Sequence, residues 1–339
     1  MPAQVSFLLL GLALILLAAE FFTNGVEALG RHFSFSQAVV GSILAAVGTA
    51  LPETILPVVA IFFYGGRSAS AIGVGAILGA PFMLSTLAFF LVGLTAIVSA
   101  LGGRRKLEFN VETGPTKRDL TFFLVMYSLA VLLPLLLGKK TLVPLAISLI
   151  CGYVFYAYLT FRDESADLEH TEKMYIWRLI RRIRPSVRSE TPPLALVLLQ
   201  VAASLAVMIQ GAHTFVAGLE GVALRLGMNP LLFSLLLAPV ATELPEKFNS
   251  VTWTWKGKDT LALGNITGAM VFQSVFPVSV GLLFTEWHIT GMALLSALTA
   301  IISSLLIFGT LLAWKRISPV TMLLPGCLYL AYALVVILR

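Results

Sequence analysis

Long apolar stretches recur along the whole chain, and they restrict it to folds that cross a membrane. Ten of them approach or exceed the roughly 20 residues that an α-helix needs to span a bilayer. The chain is 58% hydrophobic and only 12% charged, which is too little charge to cover a soluble domain. We therefore predict an all-α membrane protein with ten transmembrane helices. The predicted spans are 4–30, 36–64, 70–101, 119–137, 141–161, 192–226, 230–255, 260–286, 289–313 and 318–338.

The basic residues lie mainly in alternate loops, and this distribution predicts the topology. With the N-terminus outside, the inner loops hold 17 of the 23 Lys and Arg, the outer loops hold 5, and Lys247 lies within a span. By the positive-inside rule, both termini then lie outside and the central loop is cytoplasmic. The net charge of +6 thus reflects the membrane topology, and we expect no nucleic-acid partner. We expect a multi-pass protein of the cell (inner) membrane that contacts the lipid bilayer and functions as a monomer.

Two halves of the chain resemble each other. The Leu-Pro-Glu of 51–53 recurs 193 residues later, at 244–246. A Gly-x-x-x-Gly-Ala stretch at 75–80 likewise recurs at 264–269, and a Cys-x-Tyr-x-x-Tyr pattern occurs near the end of each half. Since each half has five spans, an odd number, the two halves enter the membrane from opposite sides. This is the inverted-repeat plan of secondary transporters.

The most polar segment divides the two halves. We predict a first five-helix repeat at 1–161, a cytoplasmic linker at 162–191 and a second five-helix repeat at 192–339. Within the linker, Met174, Trp177 and Ile180 recur at every third residue. This spacing fits a helix lying on the membrane surface, and a solvated linker is the alternative.

Carboxylates inside the spans need a functional reason, because a buried charge is costly in a membrane. Glu53 and Glu246 lie in the predicted second and seventh spans, each directly after a proline. Proline cannot donate a backbone hydrogen bond, so a carbonyl one turn earlier is left free. Thr49 and Thr242 lie four residues before their Glu, on the same helical face. Two such halves would form an all-oxygen cage of the kind that calcium prefers.

These motifs resemble those of a known family. The segments 48–53 and 241–246 resemble the paired Gly-Thr-Ser-x-Pro-Glu signatures of the sodium/calcium exchanger family of calcium/cation antiporters. The Gly-x-x-x-Gly-Ala stretches resemble its Gly-Asn-x-x-Gly-Ser-Asn motifs. The resemblance covers nearly all of both halves and implies alternating access, with calcium exported against sodium or protons. It further implies that Glu53 and Glu246 are central calcium ligands, supported by Thr49 and Thr242.

The chain also departs from the family pattern, mostly in the first half, and these departures put a three-sodium stoichiometry in doubt. The family Asn is kept as Asn265, and Gln273 stands where the family has an acidic residue or Asn. Apolar residues replace other polar positions at Ala50, Ala76, Ala80, Leu84 and Ala269. The predicted metal-binding set is Glu53, Glu246, Thr49, Thr242, Glu243, Gln273 and Asn265.

Glu243 replaces the Ser of the second signature and has two interpretations. It shares a helical face with Glu246 and can act as an additional ligand. It can instead pair with Lys247, four residues later, in the orientation that favours an intrahelical ion pair. Lys247 could also serve as a built-in cation in place of a sodium ion. The sequence leaves these alternatives open.

The favoured function is a secondary active cation antiporter that exports calcium, or a related divalent cation, in exchange for sodium or protons. No cofactor is expected, only the transported ions. An intramembrane enzyme is disfavoured because the sequence has no His-Glu-x-x-His motif and no nucleophile–base pair outside the repeated motifs, and because the repeat symmetry favours transport. A non-transporting relative that acts as an ion sensor or scaffold is the alternative, since several family ligands are missing.

Overall fold

The first half of the chain folds into α-helices connected by short turns. The structure is a computed structural model, and it describes residues 2–33, 45–66, 68–109, 111–163, 174–183 and 192–338. The helices up to the linker are α1 Pro2–His32, α2 Ala45–Val58, α3 Ala69–Met83, α4 Phe89–Leu101, α5 Thr113–Leu137 and α6 Leu142–Asp163.

The linker contributes one helix, α7 Tyr175–Ile183, and the second half is again helical throughout its regular structure. The all-helical prediction is therefore confirmed for the described part of the chain. The helices of the second half are α8 Leu194–Leu226, α9 Pro230–Thr242, α10 Leu244–Trp255, α11 Asp259–Gln273, α12 Phe276–Phe284, α13 Gly291–Trp314 and α14 Leu323–Leu338.

Seven helical segments among the described residues are long and apolar enough to cross a membrane. Three shorter apolar helices, Leu51–Phe63, Pro230–Thr242 and Leu323–Val336, lie in the other three predicted spans. Residues 230–255 were predicted to form one continuous span, but the structure divides them into the two helices α9 and α10. Residues 36–44 of the predicted second span lie outside the described residues.

Prolines shape the two Leu-Pro-Glu segments differently. In the first half, Pro52 lies inside the continuous helix α2, which passes after Pro57 into a π-helical turn at Val59–Phe63. In the second half, α9 ends at Thr242 and α10 begins at Leu244, with Glu243 at the junction. A proline within a helix breaks one backbone hydrogen bond, and the chain can respond with a bulge or with a break. The repeated motif therefore occurs in two local structures.

Helices from the two halves cross at very short distance. The most extensive helix contacts join α1 to α8 and α3 to α9. A methyl group at Gly79 on α3 would overlap the carbonyl oxygen of Leu235 on α9, and one at Gly218 on α8 would overlap the backbone of Leu8 on α1. Small residues permit such backbone contact, which replaces the hydrophobic effect as the source of helix association in lipid. The two halves thus share one packed core.

The linker helix α7 packs against both long helices of the α1–α8 pair. Met174 and Trp177 are buried with Ala28 of α1 and Val197 of α8. The backbone N–H of Tyr175 donates a hydrogen bond of 2.8 Å to the side-chain oxygen of Asn24. The every-third-residue pattern therefore forms a helix whose apolar face covers the ends of these two spans. Residues 164–173 and 184–191 of the predicted linker lie outside the described residues.

Candidate cation site

Carboxylates of the two halves are buried and close enough to interact electrostatically. Glu53 lies in the middle of α2 and is 5% exposed, and Glu246 lies in the first turn of α10 and is 6% exposed. Glu53 interacts electrostatically with Glu246, with Glu243 and with Lys247. The helix N-terminus at α10 favours the negative charge of Glu246, because its free N–H groups carry partial positive charge. The structure thus brings the two predicted central residues into one buried cluster.

A small cavity of ≈ 10 Å³ adjoins Glu53 and holds room for about one water-sized particle. It joins the two halves, because Glu53 lines it from the first half and Thr242 from the second. The Thr242 hydroxyl donates a hydrogen bond of 3.3 Å to the carbonyl oxygen of Ala238 and keeps its lone pairs available. The remaining lining is apolar and comprises Leu56, Pro57, Ala76, Ala80 and Ala238.

Four buried oxygens of this region receive no hydrogen bond from the described residues. They are Glu53 Oε2, Glu243 Oε1, Glu246 Oε2 and Gln273 Oε1. A buried acceptor without a donor costs about 1–3 kcal/mol, and more when it is charged. Three of these four acceptors are carboxylate oxygens, which are oxygens of the kind that hard cations prefer.

Glu243 is paired with Lys247 across the junction of α9 and α10. Lys247 Nζ lies 2.7 Å from Glu243 Oε2, and the two side chains are 7% and 0% exposed. The ammonium group also donates to the carbonyl oxygen of Pro239 at 3.4 Å. The side chain of Gln273 approaches the same carboxylate from α11. Of the alternatives left open by the sequence, the structure shows the ion pair, with the second oxygen of Glu243 still unsatisfied.

Asn265 is placed to hold the backbone at Glu246. Its amide nitrogen donates to the carbonyl oxygen of Glu246 and to Ser250 Oγ, both at 3.0 Å. These bonds connect α11 to the first turns of α10. Asn265 therefore orients the helix that carries Glu246. Thr49 lies in α2, but its side chain is outside the described residues.

A buried carboxylate outside the predicted set organises the neighbouring helices. Asp119 on α5 accepts hydrogen bonds from Tyr156 of α6 at 3.0 Å and from Thr267 of α11 at 2.6 Å. Thr267 lies two residues from Asn265, so this network fixes the same helix. The sequence signal was present, since Asp119 begins the predicted fourth span, but its partners are distant in sequence.

Carboxylates alone do not complete a metal site here. Among the described residues, no three His, Cys, Asp or Glu side chains converge closely enough to hold a metal ion. A hard cation takes six to eight oxygens, including hydroxyl and carbonyl oxygens. The side-chain oxygens that line the cavity belong to Glu53 and Thr242, so a cation there would also need other oxygens, such as main-chain carbonyls.

Comparison with known proteins gives the family of the chain. A family model for sodium/calcium exchanger proteins matches residues 3–162 and 196–339. An uncharacterised membrane protein of Methanocaldococcus jannaschii is 26% identical over 281 residues, which is 83% of this chain and 82% of that protein. The inner membrane protein YrbG of Escherichia coli is 22% identical over 330 residues, 93% of this chain and 90% of that protein.

Two solved structures share the fold. The crystal structure of the H⁺/Ca²⁺ exchanger CAX aligns with a TM-score of 0.72 at 18% identity, covering 98% of this chain and 82% of that one. The sodium–calcium exchanger NCX_Mj aligns with a TM-score of 0.57 at 22% identity, covering 98% of both chains. Because the family model matches most of the chain, this multi-pass membrane protein belongs to the sodium/calcium exchanger family.

Proposed function

We propose that this protein is a secondary active antiporter that exports calcium, or a related divalent cation, in exchange for sodium or protons by alternating access. One observation carries the proposal beyond family membership. Glu53 and Glu246 come from opposite halves, lie in one buried cluster, and each keep one oxygen without a hydrogen-bond donor among the described residues. Two carboxylates supply two negative charges, which balance one divalent ion.

The other predicted residues take different roles in this proposal. Thr242 contributes its hydroxyl at the cavity, and Thr49 is its repeat-related counterpart. Asn265 positions Glu246 through the backbone. Glu243 interacts with Gln273 and with Glu246, and its charge is neutralised by Lys247.

The proposed architecture is ten spans in two inverted five-helix repeats, at 1–161 and 192–339, separated by a linker at 162–191. Seven long and three shorter apolar helices support it. The unmatched gap in the family alignment, 163–195, nearly coincides with the linker. From the distribution of basic residues we further propose that both termini lie outside and that the linker is cytoplasmic. We also propose that the protein lies in the cell (inner) membrane and that one chain is sufficient for transport.

Coupling would arise from competition for the same carboxylates. A divalent cation and the counter-ion cannot both occupy Glu53 and Glu246, so release of one permits binding of the other. Apart from Glu53, the first-half residues that line the cavity have no side-chain oxygen. This leaves few ligands for sodium, whereas a carboxylate can take a proton without further ligands.

A counter-ion screen in proteoliposomes tests the proposal. Vesicles with outward gradients of sodium, potassium or protons are given external calcium, and calcium uptake is measured. We expect uptake with sodium or protons and its loss by at least tenfold in Glu53→Gln and in Glu246→Gln. Glu286→Gln, at an exposed carboxylate, is the matched control and should transport normally.

Two results would contradict the proposal. Normal transport by both Glu53→Gln and Glu246→Gln would show that these two carboxylates do not form the transport site. Calcium binding without flux under every gradient would favour the sensor or scaffold function instead.

A further inference from the structure

The broken helix at the candidate site places an ammonium group where a transporter ordinarily holds a mobile monovalent cation. In discontinuous membrane helices, unwound carbonyls and the C-terminal ends of half-helices coordinate sodium ions or protons. Here α9 ends at Thr242, and Lys247 Nζ reaches back from α10 to the carbonyl oxygen of Pro239 in the last turn of α9. The negative end of the α9 dipole stabilises a positive charge there.

The ammonium group of Lys247 donates to the same kinds of oxygen that coordinate a bound cation. One is a carboxylate oxygen, Glu243 Oε2, at 2.7 Å, and the other is the carbonyl oxygen at 3.4 Å. Both side chains of the ion pair are almost fully buried, so neither charge is compensated by bulk water. Because Lys247 is covalently attached, this positive charge stays with the protein throughout a transport cycle.

The tethered charge fixes the net charge of the cluster. Glu53 interacts electrostatically with Glu243, Glu246 and Lys247. With an ion bound and all three carboxylates ionised, the cluster holds three negative charges from the glutamates and one positive charge from Lys247. The cluster therefore requires two positive charges from transported ions. Without the ammonium it would require three, and without the Glu243 carboxylate only one.

We infer that Lys247 is a resident cation that sets the exchange stoichiometry at one divalent cation per two monovalent ions, which makes transport electroneutral. This inference rests on the proposed antiport function and names the residue that determines its charge balance. Glu243 is its counter-charge, so the two residues act as a matched pair. Loss of either one unbalances the exchange, and loss of both restores the balance.

The sign of the imbalance differs between the two single variants. Lys247→Gln leaves three negative charges, so three monovalent ions leave for each divalent ion taken up, and an inside-positive potential promotes uptake. Glu243→Gln leaves one net negative charge, so one monovalent ion leaves per divalent ion, and an inside-negative potential promotes uptake. One net charge moved through 100 mV changes the equilibrium accumulation ratio by up to about 50-fold.

The experiment measures steady-state calcium accumulation in proteoliposomes whose potential is clamped with potassium and valinomycin. We expect accumulation by the unmodified protein, by Lys247→Arg and by the double variant Glu243→Gln/Lys247→Gln to be independent of potential. Lys247→Gln and Glu243→Gln should depend on potential with opposite signs. If Lys247→Gln does not fold, as judged by size-exclusion chromatography, Glu243→Gln and the double variant decide the question.

The inference is overturned if the unmodified protein responds to potential, or if both single variants respond with the same sign. It is also overturned if a folded, transporting single variant shows no response. Failure of the unmodified protein to accumulate calcium under any gradient is a different result, because it rejects the antiport function itself.

Discussion

Tyr64 Oη donates a hydrogen bond of 2.7 Å to Glu220 Oε2, and this bond connects the end of the π-helical turn after α2 with helix α8. The other oxygen of Glu220 accepts from the backbone N–H of Ser68 at 2.9 Å. The ring of His213, also on α8, packs edge-on against Tyr64. Glu220 therefore anchors the α1–α8 pair to the turn that leads into α3.

Removal of this anchor should weaken the bundle measurably. We expect Tyr64→Phe to lower the free energy of unfolding by about 0.6–1.7 kcal/mol, the range for interhelical hydrogen bonds in membranes. Thermal unfolding in detergent measures the effect, and a double-mutant cycle with Glu220→Gln isolates the pair. Tyr158→Phe, at a tyrosine that is 60% exposed, is the control. Additive effects of the two substitutions would show that the residues are not coupled.

The crossing of α3 and α9 should not tolerate a side chain at Gly79. Alanine there would overlap Leu235 and must push the helices apart, at an expected cost of about 1–3 kcal/mol. The melting temperature in detergent should fall accordingly. The control is Gly309→Ala on α13, where a methyl group has no described atom within 4 Å. Equal melting temperatures for the two variants would contradict the close packing described here.

A bidentate ion pair joins the loop after α4 to the start of α11. The guanidinium of Arg105 contacts both oxygens of Asp259, at 2.7 and 2.6 Å, and also donates to the carbonyl oxygen of Thr254 at 3.1 Å. The side chain of Asp259 is 2% exposed and that of Arg105 is 12% exposed. Removal of the Asp259 charge therefore leaves the partly buried guanidinium of Arg105 without its charged partner. We expect Asp259→Asn to cost up to about 3 kcal/mol of stability.

Arg105→Lys should also destabilise the protein, because lysine keeps the charge but not the planar fork. Chemical unfolding measures both variants, with Lys106→Gln at a neighbouring exposed residue as the control. A fully stable Arg105→Lys would mean that charge alone, without bidentate geometry, maintains this contact.

A hydroxyl group added to the apolar wall of the cavity should increase competition by sodium. Ala80 lines the cavity beside Glu53, where the family pattern has Ser. One additional oxygen ligand worth about 0.5–1.5 kcal/mol corresponds to a roughly 2–10-fold change in affinity. We expect Ala80→Ser to lower the sodium concentration that halves calcium uptake by this factor. Ala96→Ser, buried in α4 away from the cavity, should leave that concentration unchanged.

Local patterns in the sequence predicted the features that depend on residues close together in the chain. Apolar length predicted the helices, and the four-residue spacing of Glu243 and Lys247 indicated the ion pair that the structure shows. The break between α9 and α10 was not predicted, because both halves carry the same Leu-Pro-Glu. The two segments differ at Ala50 and Glu243, directly before that motif.

Long-range partners could not be predicted. Asp119 and Glu220 each bind residues that are far away in the sequence, and no periodicity in the chain relates these partners. The contact between α3 and α9 depends in the same way on how helices from two halves cross. The metal-ligand roles of Glu53, Glu246 and Thr242 remain predictions, and so does that of Thr49.

The crossing at Gly79 and Leu235 also has a consequence for biosynthesis. A ribosome adds about 5–20 residues per second, so α9 is made roughly 10–30 s after α3. During that interval the Gly79 surface of α3 has no helix packed against it, and Glu53 lacks the second-half helices that later bury it. The nascent chain must therefore be held by the insertion machinery, or by lipid and water, until its later helices arrive.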